Sequence, residues 1–163
     1  MNYSVTAMQD GDWEAMRHIY QEGIATGQAT FETMAPEWEA WDRSHLRECR
    51  LAARSENEIL GWTALKPFSN RRVYAGVAEI NIYVRASARG RGVGKTLLQA
   101  LITESERAGI WTLQASVFPE NTASIAVHTS CGFREVGRRE RLGKINGVWR
   151  DVLLLERRSN AVE

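Results

Sequence analysis

Apolar positions along the first third of the chain recur at two spacings, and each change of spacing marks an element. Residues 3–7 carry a short strand-like pattern. After Asp10 and Asp12, whose side chains suit a helix N-cap, Trp13, Met16, Ile19, Tyr20 and Ile24 return at helical spacing. Residues 27–36 show no period and read as a loop. Pro36 suits the start of a second helix over residues 37–50, with Trp38, Trp41, His45 and Cys49 on one face. Residues 51–54 and 59–65 predict two strands joined across 55–58.

Residues 73–84 carry the longest strand pattern, after a polar stretch that Pro67 interrupts. A glycine-rich turn follows. Residues 95–108 then predict a strong helix, apolar at Leu97, Leu98, Leu101 and Ile102 and stopped by Gly109. Residues 112–118 predict a strand, 123–130 a short helix ended by Gly132, and 133–139 with 148–155 a last pair of strands around Asn146-Gly147. The order β-α-α-β-β-β-α-β-α-β-β defines an α/β (α+β) chain with a single mixed sheet and helices against its faces. Residues 1–156 form one domain in this reading, and 157–163 a flexible tail.

Composition narrows the function. The 21 Lys and Arg against 20 Asp and Glu leave a net charge of +1, which removes the electrostatic reason to expect nucleic acid or a membrane surface as partner. Cys49 and Cys131 stand far apart and in no zinc-ligand pattern, so two free thiols and no metal are expected. Neither a signal-peptide pattern nor a bilayer-length apolar run is present, which points to the cytoplasm.

The most informative segment is the turn between the long strand and the strong helix. Gly90, Gly92 and Gly94 let the backbone turn sharply and point several N–H groups one way, at a helix start where the macrodipole favours an anion. Arg89 and Arg91 add charge, and a pyrophosphate is the natural guest. A purely structural turn would use the same residue type. Gly94-Lys95-Thr96 lacks the glycine that GxxxxGK[ST] needs at position 89, and the glycines are not spaced as G-x-G-x-x-G.

The pattern R-x-x-G-x-G on Arg89, Gly92 and Gly94 resembles the coenzyme A signature of the GCN5-related N-acetyltransferase (GNAT) superfamily. Ile82-Tyr83-Val84-Arg85 beside it, and the later run from Asn121 through Ser124 and His128 to Gly132-Phe133, strengthen the likeness. Thr30-Phe31-Glu32, Arg72 and Tyr74, Ala78-Glu79, and Gly147-x-Trp149-x-Asp151-Val152 are similar to the phosphinothricin and methionine sulfoximine N-acetyltransferases within it. Val127-His128-Thr129-Ser130 departs from the commoner text of that subclass.

The resemblance implies a mostly antiparallel, twisted GNAT sheet, with the central strand bulged and splayed from its neighbour. Acetyl-coenzyme A would then be the cosubstrate, held by Ile82, Val84, Arg89, Gly90, Arg91, Gly92, Val93, Gly94, Lys95, Thr96, Asn121 and Ser124. A backbone N–H near Asn81 or Ile82 would polarise the thioester carbonyl. Glu79 and His128 are alternative bases for the attacking amine, which must lose a proton before it reacts. Phe31, Glu32, Arg72 and Tyr74 would bind a small amino-acid-like acceptor, with Arg85 as a further donor, and Lys144, Trp149 and Asp151 would shape the pocket or an interface. A homodimer is expected. A peptide or protein N-acetyltransferase and a non-catalytic acyl-coenzyme A sensor stay open as alternatives.

Overall fold

A computed structural model of the chain describes residues 2–163. In chain order it forms β1 (Ser4–Ala7), α1 (Trp13–Ala25), α2 (Trp38–Ser44), β2 (Leu51–Arg54), β3 (Ile59–Pro67), β4 (Val77–Val84), α3 (Val93–Arg107), β5 (Thr112–Val117), α4 (Thr122–Ser130), β6 (Arg134–Ile145) and β7 (Val148–Arg158). The strands make one sheet ordered β1-β2-β3-β4-β5-β7-β6, and only the β4–β5 pairing is parallel. This is the mixed, mostly antiparallel sheet expected, with helices on both faces.

The strands at the centre are apolar on both sides because both are covered. Trp62, Ala64 and Tyr83 pack with Met16, Ile19, Tyr20 and Trp41 on the α1–α2 face. Leu65, Ile80 and Leu113 pack with Leu98 and Leu101 of α3 on the other. Such sealing explains why β3 loses its period-two signal and reads from sequence as a continuous apolar run.

Three elements depart from expectation. The second helix stops at Ser44, not residue 50, because His45 adopts an extended backbone and the chain turns toward the sheet, where Leu46 N–H donates to Leu65 O at 2.7 Å. Arg50 then folds back onto Asp42 at 2.7 Å and onto the carbonyls of His45 and Leu46. The strand expected from 73 starts at Val77, and Arg72–Tyr74 forms a 3₁₀ turn. Gly76 comes so close to the Trp111 ring that a Cβ there would lie 2.0 Å from it. The expected tail at 157–163 is instead the end of β7 and an anchored segment. Ser159 N–H donates to Trp111 O at 2.8 Å, its hydroxyl to Glu106 at 3.1 Å, and Arg158 holds the Val162 carbonyl at 2.8 Å.

The feature that positions a site is the fork between β4 and β5. Their pairing covers Val77↔Thr112, Ala78↔Leu113 and Glu79↔Gln114 and then ends, although both strands continue. The expected bulge is absent from the β3–β4 ladder, whose register runs unbroken from Pro67↔Ala78 to Gly61↔Val84. The splay therefore lies wholly on the β5 side of β4.

Candidate active site

Register decides which groups of β4 face the fork. Arg85 N–H donates to Leu60 O and Phe68 N–H to Val77 O. Antiparallel pairing alternates, so the main-chain groups of Glu79, Asn81 and Tyr83 turn toward β3. Those of Ile82 and Val84 turn the other way, into the gap left by β5. Of the two peptide N–H groups expected near a thioester carbonyl, the one in the open is that of Ile82. The peptide N–H of Asn81, expected as a catalytic donor, is directed at β3, and its carbonyl also accepts from Thr63 at 2.8 Å. Arg89 Nε donates to Val84 O at 3.3 Å across the mouth of the gap.

The glycine turn closes one end of this gap. Gly90 and Gly92 have φ of +75° and +83°, and Gly92 is the left-handed N-cap of α3 with no side-chain cap. The first intrahelical bond there is Thr96 N–H to Gly92 O at 3.0 Å. Among the described residues, the N–H groups of residues 90–95 meet no protein acceptor. A row of free donors at the positive end of a helix is a ready anion cradle. The turn, Ile82, Val84, Asn121 and Ser124 line a cleft of about 410 Å³ with Lys95 at its rim. Arg91 and Thr96, expected among the binding residues, are outside its lining. The Thr96 hydroxyl donates to Gly92 O and accepts from Tyr3.

A second pocket of about 220 Å³ adjoins the first, the two sharing Ala29 and Tyr83. Glu79 lines it, half-buried, and its Oε1 accepts from the Ser116 hydroxyl of β5 at 2.8 Å. That bond ties the two strands just where their ladder ends. Lys66 lies opposite Glu79 in register and lines the same pocket, and among the described residues it has no ion-pair partner. Phe31, set edge-on to Phe118 at 4.9 Å, and Glu32 close it from the first loop. Tyr20 and Tyr83 stack at 4.6 Å, and burial raises both phenols, so both stay protonated.

The two candidate bases are thus in different places. His128 lines the first cleft and is 2 % exposed. Its Nδ1 lies 2.7 Å from the Ser124 carbonyl, which can only accept, so Nδ1 carries the hydrogen. Nε2 is then a buried lone pair with no partner among the described residues, and burial lowers the pKa of the ring. His128 is a neutral acceptor beside the cofactor cleft, while Glu79 is the carboxylate of the smaller pocket.

The remaining expectations divide. Asn121 caps α4 by accepting from Ser124 N–H at 3.2 Å and donates to Gln28 O at 3.3 Å. Arg72 and Tyr74 lie outside the pocket, in the exposed 3₁₀ turn, where Tyr74 packs on Phe68 and under Arg71. Arg85 holds the Ile59 carbonyl at 2.8 Å and faces Glu58. Lys144 lies over Trp149, and Asp151 pairs with Arg138, contacts internal to the β6–β7 hairpin.

Sequence reasoning missed Lys66, Ser116 and Arg150. Lys66 had a signal, as the one charge ending an apolar strand. Arg150 had none. It reaches from β7 to Gly27 O at 2.9 Å, Gln28 at 2.7 Å and Glu120 at 3.2 Å, with its guanidinium 4.1 Å over Phe118.

A splayed β4–β5 fork, an anion-cradling glycine turn and a carboxylate pocket beside it define an acyl-coenzyme A-dependent acyltransferase. Residues 13–133 match the model of the Acetyltransferase (GNAT) family, to which the chain belongs. It is 32 % identical to a phosphinothricin N-acetyltransferase of Alcaligenes faecalis, over 97 % of this chain and 83 % of that one. It is 30 % identical to an L-methionine sulfoximine/L-methionine sulfone acetyltransferase of Pseudomonas aeruginosa, over 72 % and 70 %. A Sinorhizobium meliloti phosphinothricin acetyltransferase in complex with acetyl-coenzyme A superposes with a TM-score of 0.89 at 27 % identity, covering 99 % of this chain and 91 % of that one. The chain is an acetyl-coenzyme A-dependent acetyltransferase whose acceptor is a small amine.

Proposed function

We propose that the protein acetylates the primary amine of a small amino-acid-like acceptor such as phosphinothricin, methionine sulfoximine or methionine sulfone. The observation that carries this reading is the composition of the smaller pocket. A braced carboxylate, Glu79, and an unpaired cation, Lys66, stand together in about 220 Å³ walled by aromatic rings. An acceptor with both an amine and an acid group complements such a pair, and a polyamine or a long peptide does not. Lys66 takes a share of the acceptor binding that the resemblance gave to Arg72 and Tyr74.

In this reading the glycine turn holds the pyrophosphate of acetyl-coenzyme A, and the Ile82 and Val84 main chain holds its arm in the gap. The acceptor enters as an ammonium and gives one proton to Glu79, directly or through water. The free amine attacks the thioester carbonyl, whose oxygen gathers charge that the Ile82 N–H stabilises. The C–N bond forms, the C–S bond breaks, and coenzyme A leaves as a thiolate that takes up the second proton, which the nitrogen sheds as it becomes an amide. His128, neutral with its lone pair buried, is an acceptor for a donor group of the cosubstrate.

The protein is proposed to work in the cytoplasm as a homodimer. Exposed Leu142, Val148 and Trp149 on the β6–β7 hairpin support an association surface. The test of function is thiol release from acetyl-coenzyme A against phosphinothricin, methionine sulfoximine, methionine sulfone, ordinary amino acids, a polyamine, an aminoglycoside and a short peptide. Turnover confined to the amino-acid-like amines is expected. Turnover with the peptide alone would make it a peptide acetyltransferase, and tight acetyl-coenzyme A binding with no turnover at all would make it a sensor.

A further inference from the structure

Beside Glu79, the acceptor pocket is lined by Asn81, which is backed by His45 outside the lining, a polar pair that the steps above leave unused. His45, just past the end of α2, is 6 % exposed and stacks on Trp41 at 4.3 Å. Its Nδ1 lies 2.8 Å from the Trp41 carbonyl. A carbonyl only accepts, so Nδ1 carries the hydrogen and Nε2 presents a lone pair. The Asn81 Nδ2 sits 2.9 Å from that lone pair.

This contact settles which way the Asn81 amide faces. Its NH₂ must meet the histidine, so Oδ1 occupies the other fork of the amide. Asn81 lines the acceptor pocket on the same face of β4 as Glu79 and Tyr83. Among the described residues no protein group donates to Oδ1, and it is not one of the buried atoms left without a partner. It is an oriented acceptor open to the pocket.

We propose that Asn81 Oδ1 accepts a hydrogen bond from the amino group of the acceptor substrate, and that His45 is the positioning residue that fixes it in that orientation. This rests on the acetyl-transfer reading and deepens it. A primary amine that has given one proton to Glu79 keeps two N–H groups and one lone pair. Anchoring an N–H on Asn81 directs the lone pair toward the β4–β5 gap, where Ile82 would hold the thioester. Burial, with Lys66 and Arg50 nearby, lowers the His45 pKa to about 4, so the ring stays neutral and the amide stays oriented at working pH.

The test measures KM for methionine sulfone and Ki for its des-amino analogue, 4-(methylsulfonyl)butanoate, in wild type and Asn81→Leu. If wild type prefers another amine of the panel, that amine and its des-amino form replace them. Loss of a buried hydrogen bond to an amine should raise the acceptor KM about tenfold or more. The Ki of the des-amino analogue and the KM of acetyl-coenzyme A should stay within about twofold, since neither uses that bond. An unchanged acceptor KM, or an equal loss of KM and Ki, overturns the assignment of Asn81.

For His45, His45→Leu should raise the acceptor KM, and His45→Gln, whose Oε1 can accept from Asn81, should restore it. A glutamine no better than leucine overturns the positioning role. Should the variants not fold, the wild-type Asn81 side-chain amide signal is followed by NMR. It should shift with methionine sulfone and not with the des-amino analogue, and an unmoved signal sinks the proposal. A wild type that turns over no amine removes the acetyl-transfer reading itself, and this inference with it. A turning-over wild type beside an indifferent Asn81→Leu removes only the inference.

Discussion

The cofactor cleft and the acceptor pocket share a wall, yet they are built from different material. The first is mostly main chain: free N–H groups of residues 90–95 and the outward groups of Ile82 and Val84. The second is mostly side chain, drawn from α1, the first loop, β3, β4, β5 and β7. A backbone site is insensitive to side-chain identity except where geometry demands glycine. A side-chain site changes with every substitution, so it can be respecified while the cosubstrate stays the same.

The sharpest way to separate the regions is Glu79→Gln, which keeps the Ser116 contact and removes the base. Turnover should fall about a hundredfold or more, with the KM of acetyl-coenzyme A nearly unchanged. Steady-state kinetics across pH would check it, and near-normal turnover at every pH would remove Glu79 from the chemistry. Gly92→Val attacks the other region. A Cβ at Gly92 would meet nothing within 4 Å, so crowding is not the obstacle. The φ of +83° is, and holding a β-branched residue there costs about 1–3 kcal/mol. The KM of acetyl-coenzyme A should rise about tenfold while the acceptor KM moves little.

That contrast also explains what the sequence made legible. Glycines at 90 and 92 betray a backbone site because no other residue adopts their positive φ cheaply, so the turn stood out unaided. The element order followed from periodicity, which the sheet and helices obey. The bulge that the resemblance implied is absent: the splay comes from β5 ending its pairing, and pairing between strands distant in sequence leaves no local mark. Arg72 and Tyr74 illustrate the opposite error: residues matched to a motif lie in an exposed turn, while Lys66, four residues beyond Trp62 on the same strand face, lines the pocket. Ser116 and Arg150 reach their partners from other strands, and nothing beside them in the chain announces it. The second helix was overestimated because the carbonyl-binding of Arg50 and the extended His45 are tertiary effects that helical spacing does not encode.

Two smaller effects sharpen the boundary. Lys66→Met should raise the acceptor KM about fivefold to tenfold through loss of one charge pairing, with acetyl-coenzyme A unaffected. Arg150 touches both regions, holding Gln28 beside Asn121 and stacking on Phe118 beside Phe31. Arg150→Met should therefore raise both KM values, each about threefold to fivefold. A change in one alone would show that the regions are not coupled through this clamp.

The last expected effect concerns stability rather than turnover and tests whether the acceptor-side histidine is held neutral. His45 has a folded pKa of about 4 against about 6.5 when unfolded. Between those values the unfolded chain binds more protons, so stability rises with pH there. The contribution is complete above pH 6.5 and is lost as pH falls through 4. From pH 7 to 4.5 the loss from this group should be about 2–3 kcal/mol. The lowered pKa values of His128 and Asp12 act in the same direction, so wild type alone cannot isolate it. Denaturant unfolding of wild type and His45→Gln at both pH values does, because the other groups cancel in the difference. The variant should lose less stability on acidification by that amount. Equal losses would mean that His45 takes up its proton in the folded protein as readily as in the unfolded chain, and a protonated ring could not accept from Asn81.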